Sequence, residues 1–180
     1  MFAICPARDF SGPGHWPFAI HDLLAEELEC KVDTLGFQPE SDNELGNQYQ
    51  LDLNTVDKLE ADQPPKYSPI VFAEVLEHLY TFTAIVLQFR SEHLMDNGIL
   101  VVQTPNAAAL TKRVKLVLGR NPYDLINVDR ENQKHFRKYK MTELRKYADS
   151  EKLEIFWEKK ITILMPALHS SVNLSLFLGR

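Results

Sequence analysis

A doubly wound α/β sheet, mostly parallel and with an antiparallel strand pair at one edge, is the fold class this 180-residue sequence predicts. Three observations lead there. Short apolar runs alternate with longer stretches of helical periodicity along most of the chain, the pattern of repeated strand–helix units. Two of those runs, Ile70–Ala73 and residues 99–103, are continuously apolar, as strands buried on two faces must be. They are therefore expected adjacent and central in the sheet. Polar groups then appear abruptly at their carboxyl ends: Glu74, Glu77 and His78 after the first run, Thr104 and Asn106 after the second. In an open parallel sheet that end carries the ligand crevice, because the loops there line a gap that the covering helices leave.

Taken in order, Phe2–Cys5 is a short apolar strand, and residues 6–17, rich in Gly and Pro, form a loop. Phe18, Ile20, Leu23, Leu24 and Leu28 recur at helical spacing, with Asp22, Glu26, Glu27 and Glu29 on the other face. Residues 30–37 make a second strand, ended by Pro39, and residues 49–53 a third; Pro64-Pro65 punctuates the polar stretch that follows. The fourth strand, Ile70–Ala73, leads to a long helix over residues 81–95. Asn97-Gly98 is the turn into the fifth strand, residues 99–103. Residues 107–118 form a helix, with Gly119 placed where a helix stops. Met141–Ser150 is another helix, with Thr142 near its start. Residues 153–157 and 161–164 read as two strands of an antiparallel hairpin at the sheet edge. Residues 171–180, still apolar at Leu174, Leu176, Phe177 and Leu178, either complete the sheet as a last strand or mark where a longer protein is cut.

Length places all 180 residues in one domain, large enough to bury a core without covalent staples. A formal charge of −5 argues against a general nucleic-acid binder, which needs a basic face to neutralise phosphates. The positive charge present is concentrated in residues 130–146, with Arg130, Lys134, Arg137, Lys138, Lys140, Arg145 and Lys146 against Glu131 and Glu143. Such a run is either a solvated face or a landing place for an anion. Cys5 and Cys30 are the only cysteines and have no C-x-x-C spacing, so neither a disulfide framework nor a metal cluster is expected. The start lacks a basic n-region, and no apolar run approaches the ~20 residues of a membrane span. The cytoplasm is the default location.

The segment Ile70-Val71-Phe72-Ala73-Glu74-Val75-Leu76-Glu77-His78-Leu79 and the segment Gly98-Ile99-Leu100-Val101-Val102-Gln103-Thr104-Pro105-Asn106 together resemble a known family. It is the class I S-adenosylmethionine-dependent methyltransferases, in the branch with an EVLEHL-type segment after the fourth strand and a G-x-L-x-x-x-TPN segment in the fifth. Residues 134–144, KHFRKYKMTEL, resemble the same family's H-x-R-x-[YF]-[ST]-x-x-E-L segment. The likeness runs from about residue 2 to 157, strong in the middle and weak at the start.

The resemblance implies a Rossmann-like sheet, S-adenosyl-L-methionine as cofactor, and a set of site residues. Gly12 and Gly14 would lie in the loop that cradles the methionine part, although Pro13 separates them and one glycine of the usual pattern is missing. Taken alone, Gly-Pro-Gly is a plain turn. Gln38 stands where the family places an acid for the ribose hydroxyls, and it offers one neutral acceptor instead of a carboxylate. Asp52 would accept from the adenine amino group and Leu53 would pack by the ring; an isolated Asp after a strand is otherwise a helix cap or turn residue. Glu74 belongs to the segment that passes over the cofactor. His78 and His135 are the expected catalytic pair, His78 acting as base or ordering its loop. Glu77, Asn106, Tyr123 and Arg137 would line the acceptor side, while Thr142 and Glu143 serve the helix start.

The acceptor is expected to be small or carrier-linked, and the basic run points to an anionic one. Residues 112–123, KRVKLVLGRNPY, resemble an insert of members acting near cell-surface glycan or lipid pathways. No metal, transmembrane segment or nucleic-acid partner is expected, and the oligomeric state is left open. The family's members commonly carry helices before the first strand, so against that resemblance this chain either starts early, is a fragment, or is a divergent member. Two readings follow: methyl transfer to an oxygen, less readily a nitrogen, or a catalytically degenerate methyltransferase-like domain that binds a partner. The atypical glycine loop and Gln38 favour the second. A nicotinamide-dependent oxidoreductase would want G-x-G-x-x-G and an acid after strand two, and neither is present.

Overall fold

Parallel pairing around the Ile70–Ala73 strand is what positions the site. The computed structural model describes residues 2–5, 26, 32–36, 47–58, 64–123, 135–163 and 171–179. Its strands are β1 (Phe2–Cys5), β2 (Val32–Gly36), β3 (Gln48–Gln50), β4 (Ile70–Ala73), β5 (Ile99–Pro105), β6 (Glu154–Ile163) and β7 (Ser171–Gly179). Among the described residues these make one seven-stranded sheet in the order β3-β2-β1-β4-β5-β7-β6. The first five are mutually parallel, and β7 runs antiparallel to both neighbours. As expected, β4 and β5 are adjacent and central, in register from Ile70 opposite Leu100 to Ala73 opposite Gln103.

One face of that pair carries Ile70, Phe72, Leu100 and Val102, all fully buried, while Val71, Ala73, Val101 and Gln103 are half-buried on the other. The buried face shares a core with α1 (Thr83–Glu92) and α3 (Met141–Ser150), through Val86, Leu87, Phe89, Leu144 and Ala148. Each of these side chains larger than alanine contributes roughly 1.5–3 kcal/mol by leaving water. Between α1 and α3 in the chain, α2 (Leu110–Val117) buries none of its residues.

Local chemistry sets the boundaries. Phe82 is extended and His93 already non-helical, so α1 is shorter than the predicted 81–95. The Asn97-Gly98 turn forms as expected: Asn97 has φ of 60°, and the Gly98 N–H donates to Met95 O at 2.8 Å. A Cβ on Gly98 would meet that same carbonyl oxygen at 2.8 Å, so only glycine fits. Gly119, at φ 69°, stops α2 as predicted. At α3, whose bounds match the prediction, the Glu143 carboxylate accepts from the Lys140 N–H at 2.8 Å, the back-reaching half of a capping box.

The helix predicted over residues 107–118 is likewise shorter, Leu110–Val117, and two strand expectations are corrected. The sequence predicts a third strand over 49–53, but β3 ends at Gln50 and a 3-10 helix, Leu53–Lys58, starts at once. It also predicts a hairpin from 153–157 and 161–164. The chain instead makes one strand, β6, whose antiparallel partner is β7, with a register shift between Ile155 and Trp157. Glu158 and Lys159 look like turn residues in sequence, yet on an edge strand they simply face water. The predicted helix around residues 18–28 lies outside the described residues, apart from Glu26, which is helical. No helix among them is long and apolar enough to cross a membrane.

Candidate active site

At the end of β4 the chain turns on a residue that is not glycine. Glu74 has φ of 57°, a left-handed conformation that costs a non-glycine residue of order 1–3 kcal/mol. Its N–H donates to Gln103 O at 2.9 Å, extending the β4–β5 ladder by one bond before the chain leaves the sheet. Val75 and Leu76 then plug the core, and Leu76–His78 winds into a 3-10 turn closed by His78 N–H on Val75 O. This tight path leaves Glu77 0% and His78 8% exposed, both at the carboxyl end of the sheet.

Glu77 is held from two sides. The Thr104 hydroxyl, one residue before the end of β5, donates to Glu77 Oε2 at 2.9 Å. The Arg137 N–H donates to the Glu77 carbonyl at 3.3 Å, so residues 135–139 are stitched across the turn. Tyr139 completes the attachment: its hydroxyl lies 2.7 Å from Thr83 Oγ1 and donates to Leu76 O at 3.3 Å. Burial pushes the Tyr139 phenol up to about 12, so it stays a neutral hydrogen-bonding group. The consequence is that His135 meets His78 edge to face, with ring centroids 4.8 Å apart and planes at 87°. Glu77, His78 and His135 each bring a ligating atom to within 4.8 Å of the others.

Electrostatically this is a place that resists charge. Burial, then the neighbouring Glu74 carboxyl, push Glu77 well above the usual carboxylate range. Burial pushes Glu74 up too, against hydrogen bonds from Glu77 and Gln103 and the Lys112 ammonium.

Asp52 follows β3 and is half-buried. Its Oδ1 accepts from the Asn54 N–H at 3.0 Å and from Asn54 Nδ2 at 3.1 Å, so the turn role is present. Oδ2 receives no hydrogen bond from the described residues. Asn54 Oδ1 accepts from the N–H groups of Tyr80 and Thr81 at 2.9 and 3.3 Å, which ties the end of β3 to the segment beyond β4. Leu53 is buried in the core. Gly12, Gly14 and Gln38 lie outside the described residues.

On the acceptor side, Asn106 is buried and caps its own turn, Oδ1 accepting from Ala108 N–H at 2.9 Å. Tyr123 donates to Ala107 O at 2.9 Å, and the Lys112 and Lys138 ammonium groups sit 5.6 and 5.2 Å from its ring centre. Arg137 is half-buried, donates to the Tyr147 hydroxyl, and lies 5.3 and 5.4 Å from the rings of Tyr139 and Tyr147. It folds back onto the molecule and is not splayed into solvent. Sequence reasoning passed over Tyr147, which receives Arg137 ten residues away, and Asn54 and Thr83, whose partners lie 26 and 56 positions off. The aromatic at position 139 was visible in the H-x-R-x-[YF] likeness, without its anchoring role.

No family model matches this chain, and no curated protein matches it in sequence. Solved structures do resemble it in fold. The 1,6-didemethyltoxoflavin-N1-methyltransferase of Burkholderia thailandensis, solved with 1,6-didemethyltoxoflavin and S-adenosylhomocysteine bound, superposes with a TM-score of 0.63 at 9% identity, covering 99% of this chain and 70% of that one. The N-methyltransferase NodS from Bradyrhizobium japonicum gives 0.62 at 13% identity, with coverage of 99% and 84%. A SAM-dependent methyltransferase from Archaeoglobus fulgidus gives 0.59 at 11%, with 99% and 85%. At such identities the likeness is one of fold.

Proposed function

We propose that this chain, which has the α/β fold of S-adenosylmethionine-dependent methyltransferases, transfers a methyl group from that cofactor to an oxygen of a small or carrier-linked acceptor. The observation that carries the reading is the convergence of His78, His135 and Glu77 at the carboxyl ends of β4 and β5. That end borders the β1–β4 junction, where the strand order reverses.

The residues present fit the cofactor. Asp52 follows β3 with one carboxylate oxygen spent on its own turn, and the second suits the adenine amino group. Glu74 follows β4, and the resemblance assigns Gly12 and Gly14, which lie outside the described residues, to the loop after β1. When bound, S-adenosylmethionine supplies an electrophilic methyl carbon on a sulfonium, so the protein contributes position, water exclusion and proton handling. A hydroxyl acceptor must lose its proton as the new bond forms. His78, nearly buried and in edge-to-face contact with His135, would take it in this reading. Thr104 and the Arg137 backbone keep Glu77 and its turn from drifting. Lys112 and Lys138 about Tyr123 support an anionic acceptor such as a phosphorylated or lipid-carrier-linked sugar.

Calorimetric titration with S-adenosylhomocysteine tests the reading. Binding should raise the melting temperature, and Asp52→Ala should weaken it by about 1–3 kcal/mol. Absence of binding at millimolar ligand would leave the degenerate binding domain as the better reading.

A further inference from the structure

We propose that Glu77, His78 and His135 form a binding site for a first-row transition-metal dication, which would hold the acceptor oxygen. The role given to the ion rests on the methyl-transfer reading; its binding does not.

The donor set is specific. Two imidazoles and one carboxylate is a combination that holds zinc, manganese, iron or cobalt ions while leaving positions open for a further oxygen ligand. Donors around an ion at 2.0–2.2 Å lie about 3–4 Å from one another. The three ligating atoms here are within 4.8 Å of one another, so a shift of well under an ångström by each side chain, about 0.6–0.8 Å at most, closes the set. Rotation of the His135 ring, on a half-buried segment, is the simplest way to make it.

The donors are also braced as ligands need to be. The Thr104 hydroxyl fixes Oε2 of Glu77. The Arg137 N–H holds the Glu77 carbonyl, and Lys138 Nζ donates to the His135 carbonyl at 3.3 Å. Both histidines are thus fixed through the backbone, one in a 3-10 turn and one in a strap anchored by Tyr139. Glu74, on its left-handed turn, adds a second carboxyl beside the first. Two acids and two imidazoles gathered at one dry sheet end are costly for a plain core. A dication offsets the repulsion between the carboxylates and gives the imidazole lone pairs a ligand role.

An ion there would accept a lone pair from the acceptor hydroxyl. The O–H bond then breaks more easily, its proton leaving to solvent water, and the oxygen keeps the electron pair that attacks carbon. In that state the two imidazoles are ligands, and the proton-accepting role proposed for His78 belongs to the metal-free site alone.

Cobalt(II) chloride is the probe, added to the chelator-stripped 180-residue chain and followed by visible absorption. A saturable band at one equivalent is expected, and His135→Ala and His78→Asn should each weaken binding at least tenfold. His93→Gln, which alters an imidazole outside the cluster, should leave binding unchanged. S-adenosylhomocysteine is titrated into every variant to report folding and the methyltransferase reading separately. Cofactor binding with no saturable cobalt band up to millimolar metal overturns the proposal and spares that reading. A cobalt band that survives both histidine variants also overturns it. A band lost in both variants, without cofactor binding by wild type, supports the metal site and removes its role in methyl transfer.

Discussion

His93 shows how one side chain outside the site sets a pH response. Its Nδ1 lies 2.6 Å from Phe89 O at the end of α1, and its ring tilts onto Phe89 with centroids 4.2 Å apart. Burial holds its pKa below the ordinary 6.5, aided by Arg90 and opposed by the Phe89 carbonyl. The unfolded chain therefore takes up a proton near pH 6.5 while the folded one still refuses it. More protons bound by the unfolded state means stability that rises with pH. The contribution is complete above 6.5 and is lost as pH falls from 6.5 toward the lower folded value. Melting temperatures recorded down a pH series should drop more steeply for wild type than for His93→Gln, and parallel curves would refute this. At this same scale the candidate site was partly legible. Glu74, Glu77, His78 and Thr104 stand out because charge and hydroxyl follow so directly on an apolar run. Asn54 and Thr83 do not, since their roles are contacts to residues 26 and 56 positions away. Local pattern carries no trace of such pairs.

Among the elements, the strap of residues 135–139 depends on one phenol. Tyr139→Phe removes the group that joins Thr83 Oγ1 and the Leu76 carbonyl, and leaves a buried hydroxyl without its partner. The expected cost is about 1–3 kcal/mol in urea denaturation, together with a weaker S-adenosylhomocysteine-independent cobalt band, because the strap carries His135. Elements whose boundaries are set locally were read well from sequence. β4 and α3 match residue for residue, the one fenced by an apolar run and the other by Lys140 and Glu143. Elements whose boundaries are set by the sheet were not. β6 passes through Glu158, Lys159 and Lys160 because its neighbour β7 supplies the pairing, and Arg145 on α3 meets Glu158 with Nε 2.9 Å from Oε2. β3 is cut short because Asp52 turns the chain into a 3-10 helix.

For the molecule as a whole, the alternation of strands and helices was enough to expect a mostly parallel sheet with β4 and β5 in the middle. It was not enough to find β7 between β5 and β6, since an order of pairing leaves no periodicity in the chain. That placement has a consequence for the protein's synthesis. β7 is the last described strand to leave the ribosome, yet it joins two strands made before it, through Leu176 and Leu178 in the core. Until it emerges, β5 and β6 each present an unpaired edge, and pairing across so long a stretch of chain is slow. The waiting nascent chain is thus an open template for other strands. A chain ending after residue 163 should be recovered mainly in the insoluble fraction, and co-expression with a chaperone that shields hydrophobic strands should rescue the full chain's yield more than its melting temperature. Soluble, monomeric recovery of the shortened chain would show instead that the growing sheet guards its own edge.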